Sequence, residues 1–486
     1  MKKSLTIVMY TLLILMLAAS CTSYPKRGTE DGTDLQVVAI SPEDSEASGK
    51  VAAEKTSEGS SSSEDASKDN SARPASVGTE EPAAEEPTAT SAIDGTRGAS
   101  MGKEDGRAPE FMIDDEAAVD SSETTRPATV RAGAPGSSGL KAGYSDDNRQ
   151  YGYFVGFLDE YADVLHLELP IQERIMINVV DADGKSLPNA KVAVFSEQQI
   201  IVSGSTTADG NYQLNPSEHI NSGSEFKIVT ETQGMVKELS ISRSGPRSIV
   251  VQLPFQRVIP QPIPLDIVFI LDTTGSMGEE IARLRATIEL IHLNLTSLNS
   301  KPDIRFGMVL YKDIGDEYDT KVVPLTGNLD EFRRALDFVE ASGGGDTPED
   351  LQAALADCLQ IVEWNPEGIR LGFIITDAPP HLDYDQKFTY VDASRQARER
   401  GIKLFSVGTG GLPLDGEYIL RQISQYTGGK YIFLTYGETG ESEGGSVGSV
   451  SHHSGTNFQT DKLEAIIIRF AKEELSYLTD KPLEDD

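Results

Sequence analysis

The chain has 486 residues, enough for roughly two to four domains. It holds 43 basic and 77 acidic residues, a formal net charge of −34 at pH 7. This balance argues against DNA or RNA as the main partner, because nucleic acids are bound through clustered Lys and Arg. Two cysteines are too few for a disulfide-stapled scaffold, and a single apolar run excludes a polytopic membrane protein.

The first segment predicts export. Two lysines precede an apolar run, residues 5–20, whose length is typical of a signal peptide and short for a membrane span. Its last residues are small and stand before Cys21, which resembles a bacterial lipobox. The resemblance implies that residues 1–20 are removed and that Cys21 is lipidated, which anchors the protein in the cell envelope. The absence of Asp after Cys21 favours the outer membrane by the same resemblance, and an ordinary signal peptide with an incidental cysteine is the alternative.

Residues 21–145 are predicted to form a disordered, acidic, Ser-rich tether. Residues 22–140 contain 18 Ser, only two aromatic residues, and 24 acidic against 11 basic side chains. Such a segment buries too little apolar surface to offset the entropy lost on ordering. We therefore expect a spacer between the membrane and the folded part.

A small antiparallel β-sandwich is predicted for residues 165–253. Short runs of alternating apolar residues are separated by Asp-Gly turns, a pattern typical of hairpins. The predicted strands lie at 175–179, 192–194, 212–214, 228–230, 239–241 and 249–251. The turn sequences around Asp183-Gly184 and Asp209-Gly210 resemble the carboxypeptidase regulatory-like domain, which implies a spacer or docking module without catalytic residues.

The last part, residues 263–479, is predicted to be an α/β domain with a Rossmann-like, doubly wound, mostly parallel sheet. Prolines at alternate positions from residue 260 to 264 separate it from the sandwich, with a boundary near residue 258. Unbroken apolar strands then alternate with amphipathic helices, which is typical of a sheet that is covered on both faces. The predicted strands are 265–271, 304–311, 321–325, 371–376, 403–407 and 431–434, and the predicted helices are 277–298, 329–340, 349–362, 388–400, 417–426 and 461–477.

Three polar sequences lie at the ends of predicted strands and helices in this domain. Asp272-Thr273-Thr274-Gly275-Ser276 and Thr376-Asp377 each follow a buried strand, and Gly345-Asp346-Thr347-Pro348 precedes a helix. Ligands of parallel sheets bind at the carboxyl ends of strands. Together the three sequences resemble the metal-ion-dependent adhesion site of the von Willebrand factor type A (VWA) domain, with Thr274 where that family usually has Ser.

The resemblance implies a divalent-cation site and a set of metal ligands. These are Asp272, Thr274, Ser276, Thr347 and Asp377. Carboxylate and hydroxyl oxygens suit Mg²⁺, although Mn²⁺ or Ca²⁺ is possible with the same donors. In the family, the cation keeps an open position that takes an Asp or Glu carboxylate from a partner.

Helix caps are the alternative interpretation of two of these residues. Ser276 with Glu279 fits a capping box, and Thr347 before Pro348 fits an N-cap. Cys358 lies on the apolar side of a predicted helix and is interpreted as a buried thiol rather than a nucleophile, and His381 as a loop histidine.

The sequence therefore predicts a non-enzymatic, metal-dependent protein-binding module on a lipid-anchored envelope protein. Two alternatives stay open: a phosphoaspartyl-type hydrolase and a structural scaffold whose metal site is empty. The hydrolase is disfavoured because Thr273 stands where its Asp-Lys-Thr-Gly-Thr loop has Lys, and its second acidic motif is missing.

Overall fold

The computed structural model describes residues 141–219, 223–345, 347–436, 448–449 and 459–479. The predicted signal peptide, Cys21 and nearly all of the predicted tether lie outside these residues. Within the described ranges, no helix combines the length and the apolar character that a membrane span needs.

Sixteen strands and seven α-helices are described. The strands are β1 (Lys141–Ser145), β2 (Ile175–Val180), β3 (Lys191–Ser196), β4 (Gln199–Ser205), β5 (Asn211–Leu214), β6 (Glu225–Thr232), β7 (Met235–Ser242), β8 (Ser248–Gln252), β9 (Pro264–Asp272), β10 (Asp303–Tyr311), β11 (Thr320–Thr326), β12 (Ile369–Thr376), β13 (Lys403–Gly408), β14 (Tyr431–Tyr436), β15 (Gly448–Ser449) and β16 (Gln459–Lys462). The helices are α1 (Tyr151–Glu160), α2 (Gly278–Thr296), α3 (Leu329–Asp337), α4 (Leu351–Gln360), α5 (Tyr390–Glu399), α6 (Leu414–Thr427) and α7 (Leu463–Ser476).

The larger sheet is mostly parallel, as predicted. Its order is β11-β10-β9-β12-β13-β14-β1-β16, and β15 pairs with β14. Strands β10, β9, β12, β13 and β14 run parallel to one another. The central strands β9 and β12 are buried on both faces because helices cover both sides, which explains their unbroken apolar sequences. Every strand and helix predicted for residues 263–479 is present, although five of the six helices are shorter than predicted, such as Leu351–Gln360 against a predicted 349–362.

The predicted end of the tether at residue 145 is wrong. Strand β1 lies inside the larger sheet, where it pairs antiparallel with both β14 and β16. Helix α1 then packs its buried Phe154 and Phe157 into the core on one face of that sheet. Buried Asp147 binds the buried guanidinium of Arg421 on α6 through two hydrogen bonds of 2.6 and 2.9 Å. Residues N-terminal to the predicted sandwich thus complete the C-terminal domain.

Residues 175–252 form two smaller sheets that share one hydrophobic cluster. One has the order β5-β2-β8 and the other β4-β3-β6-β7. The prediction that all strands are antiparallel is wrong for one pair, because β2 and β8 run parallel. Strand β4 was not predicted from the sequence. The resemblance to the carboxypeptidase regulatory-like domain stays a prediction.

The two-sheet part packs against the amino-terminal ends of the parallel strands. Lys403, the first residue of β13, binds Asp209 at 3.1 Å and Glu474 of α7 at 2.6 Å. Arg398 of α5 binds Glu218 at 3.2 Å. These ion pairs are largely buried and lie at the end of the larger sheet opposite its carboxyl-terminal edge, where parallel sheets bind their ligands.

Candidate metal site

Two of the predicted ligands lie at the carboxyl-terminal edge of neighbouring strands. Asp272 ends β9, and Asp377 directly follows β12. The register pairs Ile375 with Leu271, so both strands reach the edge together. The hydroxyl of Thr376, the residue before Asp377, donates a hydrogen bond to Asp272 Oδ2 at 2.8 Å, which connects the two strand ends.

Asp272 is fully buried and its carboxylate is held by neutral donors. Oδ1 accepts hydrogen bonds from the backbone N–H of Thr274 at 2.9 Å and from its hydroxyl at 2.7 Å. Oδ2 accepts one from the hydroxyl of Thr376 at 2.8 Å. Burial raises the pKa of Asp272 to about 6. The hydrogen bonds from these three donors lower the pKa in part, and the charge of nearby Asp377 raises it further. In the described part of the chain, the partners of this carboxylate are neutral donors and include no basic side chain.

Ser276 is exposed at the edge of the sheet. Burial raises the pKa of Asp377, and the Ser276 hydroxyl partly offsets that shift. The prediction of a capping box at Ser276 is wrong, because Met277 is the N-cap of α2 and no side chain caps that helix. The Ser276 hydroxyl is therefore available to a ligand at the edge.

Thr347 is exposed on the loop between α3 and α4. The predicted N-cap at Thr347 is also wrong: Asp350 caps α4 by accepting a hydrogen bond from the backbone N–H of Ala353 at 3.0 Å. The loop passes the site at Gly344, whose φ of +72° favours glycine. A Cβ at Gly344 would lie 3.0 Å from Thr274 Cβ, so the loop runs directly beside Asp272 and Thr274.

Two further carboxylates at this edge were missed by the sequence analysis. Glu349 is 4% exposed, and its Oε2 has no hydrogen-bond partner among the described residues. Burial, followed by the charges of Asp272 and other carboxylates, raises the pKa of Glu349 to about 8. Burial and the charge of Asp377 likewise raise the pKa of Glu280 to about 7. Both residues were interpreted as parts of helix starts, and no local pattern marks them as site residues.

Two other residues that the sequence analysis considered, Cys358 and His381, are buried. Cys358 is fully buried on α4, which confirms the prediction of a buried thiol, and burial raises its pKa to about 12. His381 is 4% exposed, stacks on Tyr384 at 3.9 Å and contacts Asp383 at 2.6 Å. Its ring therefore orders the loop after β12.

The donor set fits a hard cation. The carboxylates of Asp272 and Asp377 lie at this edge with the hydroxyls of Thr274 and Ser276. The Thr347 hydroxyl is exposed on the adjacent loop, and the Glu349 oxygen that has no hydrogen-bond partner among the described residues is buried nearby. Mg²⁺ prefers such oxygen ligands and usually keeps several waters. No group of three or more His, Cys, Asp or Glu in the described part of the chain has the geometry of a metal site. Hydroxyl oxygens would therefore have to supply part of the coordination.

Comparison with known proteins identifies the domain. Residues 266–435 match the family model of the von Willebrand factor A domain. The chain contains a VWA domain. The match begins inside β9 and ends inside β14, so it includes the five parallel strands and all five predicted ligands.

Two curated relatives are longer than this chain and match it over only part of their length. The alpha-protein kinase vwkA of Dictyostelium discoideum is 29% identical over 170 residues, covering 35% of this chain and 27% of the kinase. Integrin beta-4 of Homo sapiens is 26% identical over 192 residues, covering 33% of this chain and 10% of the integrin. The chain thus spans about a quarter or less of these relatives. Proximal thread matrix protein 1 from the mussel byssus matches at a TM-score of 0.28 with 16% identity, over 35% of this chain and 41% of that chain, a likeness too weak to bear on the fold.

Proposed function

We propose that the VWA domain is a non-enzymatic adhesion module that binds a protein ligand through a divalent cation. The cation would be held by Asp272, Thr274, Ser276, Thr347 and Asp377. The observation that supports this proposal best is the excess of buried carboxylates at the edge of the sheet. The VWA match and the integrin relatives support a protein-interaction role in general.

The carboxylates at the edge are under electrostatic strain that a cation would relieve. Asp272, Asp377, Glu280 and Glu349 all have raised pKa values because burial disfavours their charged forms. Asp377 raises the pKa of the other three, so the acids also repel one another. A divalent ion placed among them would stabilise the charged forms and supply the missing partner of Glu349.

We favour Mg²⁺ as the cation and an acidic side chain as the ligand. Hydroxyls would take part of the coordination sphere, so the ion would retain enough positive charge to attract a carboxylate from a partner. Ser276 and Thr347 are exposed, which leaves their side of the edge open to a protein surface. An exposed Asp or Glu on the partner would replace a water on the ion.

We further propose that Cys21 carries a lipid anchor in the bacterial cell envelope, with the outer membrane favoured. The support is the lipobox-like sequence alone. More than one acyl chain is needed for stable anchoring, and a processed lipoprotein cysteine provides such chains.

Calorimetric titration of the purified protein with Mg²⁺ tests the site directly. Asp272→Ala and Asp377→Ala should abolish binding, and Ser276→Ala should weaken it without a loss of thermal stability because Ser276 caps no helix. Asp385→Asn, which removes an exposed acid, is the control and should bind like wild type. If Asp272→Ala binds Mg²⁺ as wild type does, the proposed site is wrong.

The ligand and the reaction class need separate measurements. Capture of partners from envelope extract should succeed with Mg²⁺ and fail with EDTA, and Asp272→Ala should capture none in either condition. A phosphatase assay tests the hydrolase alternative: turnover that depends on Asp272 would overturn the non-enzymatic proposal.

A further inference from the structure

Lys312 is a buried cation at the base of the candidate metal site. It directly follows β10 and is 1% exposed. Its Nζ donates hydrogen bonds to the carbonyl of Thr273 at 2.8 Å, to the hydroxyl of Ser342 at 3.1 Å, and to the carbonyl of Ser342. All three acceptors belong to the two loops that carry Thr274 and Thr347.

The loop that carries Thr347 is attached to Lys312 at both ends. Ser342 at its start accepts from the ammonium, and the backbone N–H of Asp350 at its end donates to the carbonyl of Lys312 at 3.3 Å. Lys312 therefore holds this segment of the loop in place at both Ser342 and Asp350.

The same ammonium fixes this loop against the loop after β9. Ser342 N–H donates to the Thr273 carbonyl at 3.1 Å, which is also an acceptor of the ammonium. Gly275 N–H donates to the Gly343 carbonyl at 3.1 Å, two residues further along the loop after β9 and one residue further along the other loop. The Thr273 hydroxyl meets the Tyr318 hydroxyl at 2.8 Å, and the ring of Tyr318 lies 5.3 Å from Nζ. Lys312 thus occupies the point where the two ligand-bearing loops cross.

A buried ammonium must satisfy its donors, because an unpaired buried charge is costly. Among the described residues its acceptors lie on these two loops, so any movement of one loop away from the other breaks a hydrogen bond of a buried charge. The arrangement resists such movement more strongly than neutral hydrogen bonds would.

We propose that Lys312 is a positioning residue that sets the separation of the Thr274 and Thr347 hydroxyls before the cation binds, and thereby favours Mg²⁺ over Ca²⁺. The inference rests on the proposed function of this site. Mg²⁺ requires short, nearly octahedral bonds, whereas Ca²⁺ accepts longer and less regular ones. A variable distance between the two loops therefore lowers the affinity for Mg²⁺ more than the affinity for Ca²⁺.

Replacing Lys312 has two separable effects. Loss of a positive charge near the site raises the affinity for both cations by a similar factor, because both carry the same charge. Loss of the loop geometry lowers the affinity for Mg²⁺ more than for Ca²⁺. The ratio of the two dissociation constants removes the charge effect and reports the geometry alone, and a general loss of stability does not change it.

The test is calorimetric titration of Mg²⁺ and of Ca²⁺ into wild type, Lys312→Met and the control Lys321→Met. Lys321 is exposed on β11, so its replacement removes the same charge without touching the loops. We expect the preference for Mg²⁺ over Ca²⁺ to fall by about tenfold or more in Lys312→Met, the size typical of lost supporting contacts, and to stay unchanged in Lys321→Met. A ratio in Lys312→Met equal to that of wild type overturns the inference.

Ser342→Ala keeps the test decisive if Lys312→Met does not fold. It removes one acceptor and leaves the ammonium in place, so the ratio should shift in the same direction by a smaller factor, and an unchanged ratio overturns the inference. If wild type binds neither cation, the proposed function fails together with the inference. If wild type binds Mg²⁺ and only the ratio is insensitive to Lys312, the inference fails alone.

Discussion

Glu349→Gln should make the cation-free protein more stable at neutral pH. In the folded protein, burial and neighbouring carboxylates raise the pKa of Glu349 to about 8, against 4.5 ordinarily. Glu349 is 4% exposed, and one of its carboxyl oxygens has no hydrogen-bond partner within the described part of the chain. Glutamine has nearly the same shape and no charge, so it removes the electrostatic cost while keeping the packing.

The magnitude follows from proton linkage. A raised folded pKa means that the contribution of Glu349 to stability is complete below pH 4.5 and is lost as the pH rises towards 8. Between about pH 5.5 and 7.5 the unfolded chain releases the proton while the folded chain keeps it, which lowers the free energy of unfolding by about 1.4 kcal/mol per pH unit at most. Screening by water at the edge of the sheet reduces this effect, so we expect the variant to gain about 1–2 kcal/mol at about pH 7.5.

The assay is urea unfolding in EDTA at several pH values from about 5.5 to 7.5, for wild type, Glu349→Gln and the exposed control Asp385→Asn. Wild type and Asp385→Asn should lose stability as the pH rises, and Glu349→Gln should lose less. Adding Mg²⁺ should stabilise wild type more than Glu349→Gln, because only the carboxylate gains a cationic partner. If Glu349→Gln and wild type have the same pH dependence in EDTA, Glu349 is not held in a neutral form by its surroundings and the electrostatic argument for a cation is refuted.

Three further predictions concern the packing and the anchor. Phe157→Ala should lower the free energy of unfolding by about 3–5 kcal/mol, measured by urea unfolding, because its fully buried ring packs in the core of the larger sheet; a loss below about 1 kcal/mol would show that α1 is not part of that core. Lys403→Met should cost about 3–5 kcal/mol in the same assay, since it leaves buried carboxylates without their cation, and additional replacement of Glu474 by Gln should recover part of the loss. Cys21→Ala should release the protein from membranes or stall its processing, as seen by fractionation and gel mobility; unchanged membrane association with normal maturation would contradict a lipid anchor.

Much of the VWA domain could be predicted because its elements are encoded locally. A strand that is buried on both faces must be apolar along its whole length, and β9 and β12 have that pattern. The polar residues that end them, Asp272 and Thr376-Asp377, lie at one edge because parallel strands end on the same side. Chain order and strand direction therefore predicted that Asp272 and Asp377 share one edge, and the resemblance to the VWA family supplied their interpretation as metal ligands.

Interactions between distant segments could not be predicted in this way. Strand β1 is five residues long, and its partners β14 and β16 lie about three hundred residues later in the sequence. A short strand that contains Ala142 and Gly143 has no strong local sequence signal for β-structure. Its position is fixed by the open edge of β14 and by the ion pair between Asp147 and Arg421. The β2–β8 pair is parallel for a similar reason, since the direction of a pair depends on the route of the chain between its strands.

The sequence by itself determined the parallel sheet, the strand-end aspartates and the acidic character of the site. Only the tertiary structure decided which hydroxyls are free and which acids are buried. Helix α4 begins two residues later than predicted, so Asp350 is its N-cap and Thr347 is not. Loop packing buries Glu349 and places Lys312 between the two loops that carry the proposed ligands. Burial and hydrogen bonding at loop crossings depend on contacts among several segments, and no single stretch of sequence specifies them.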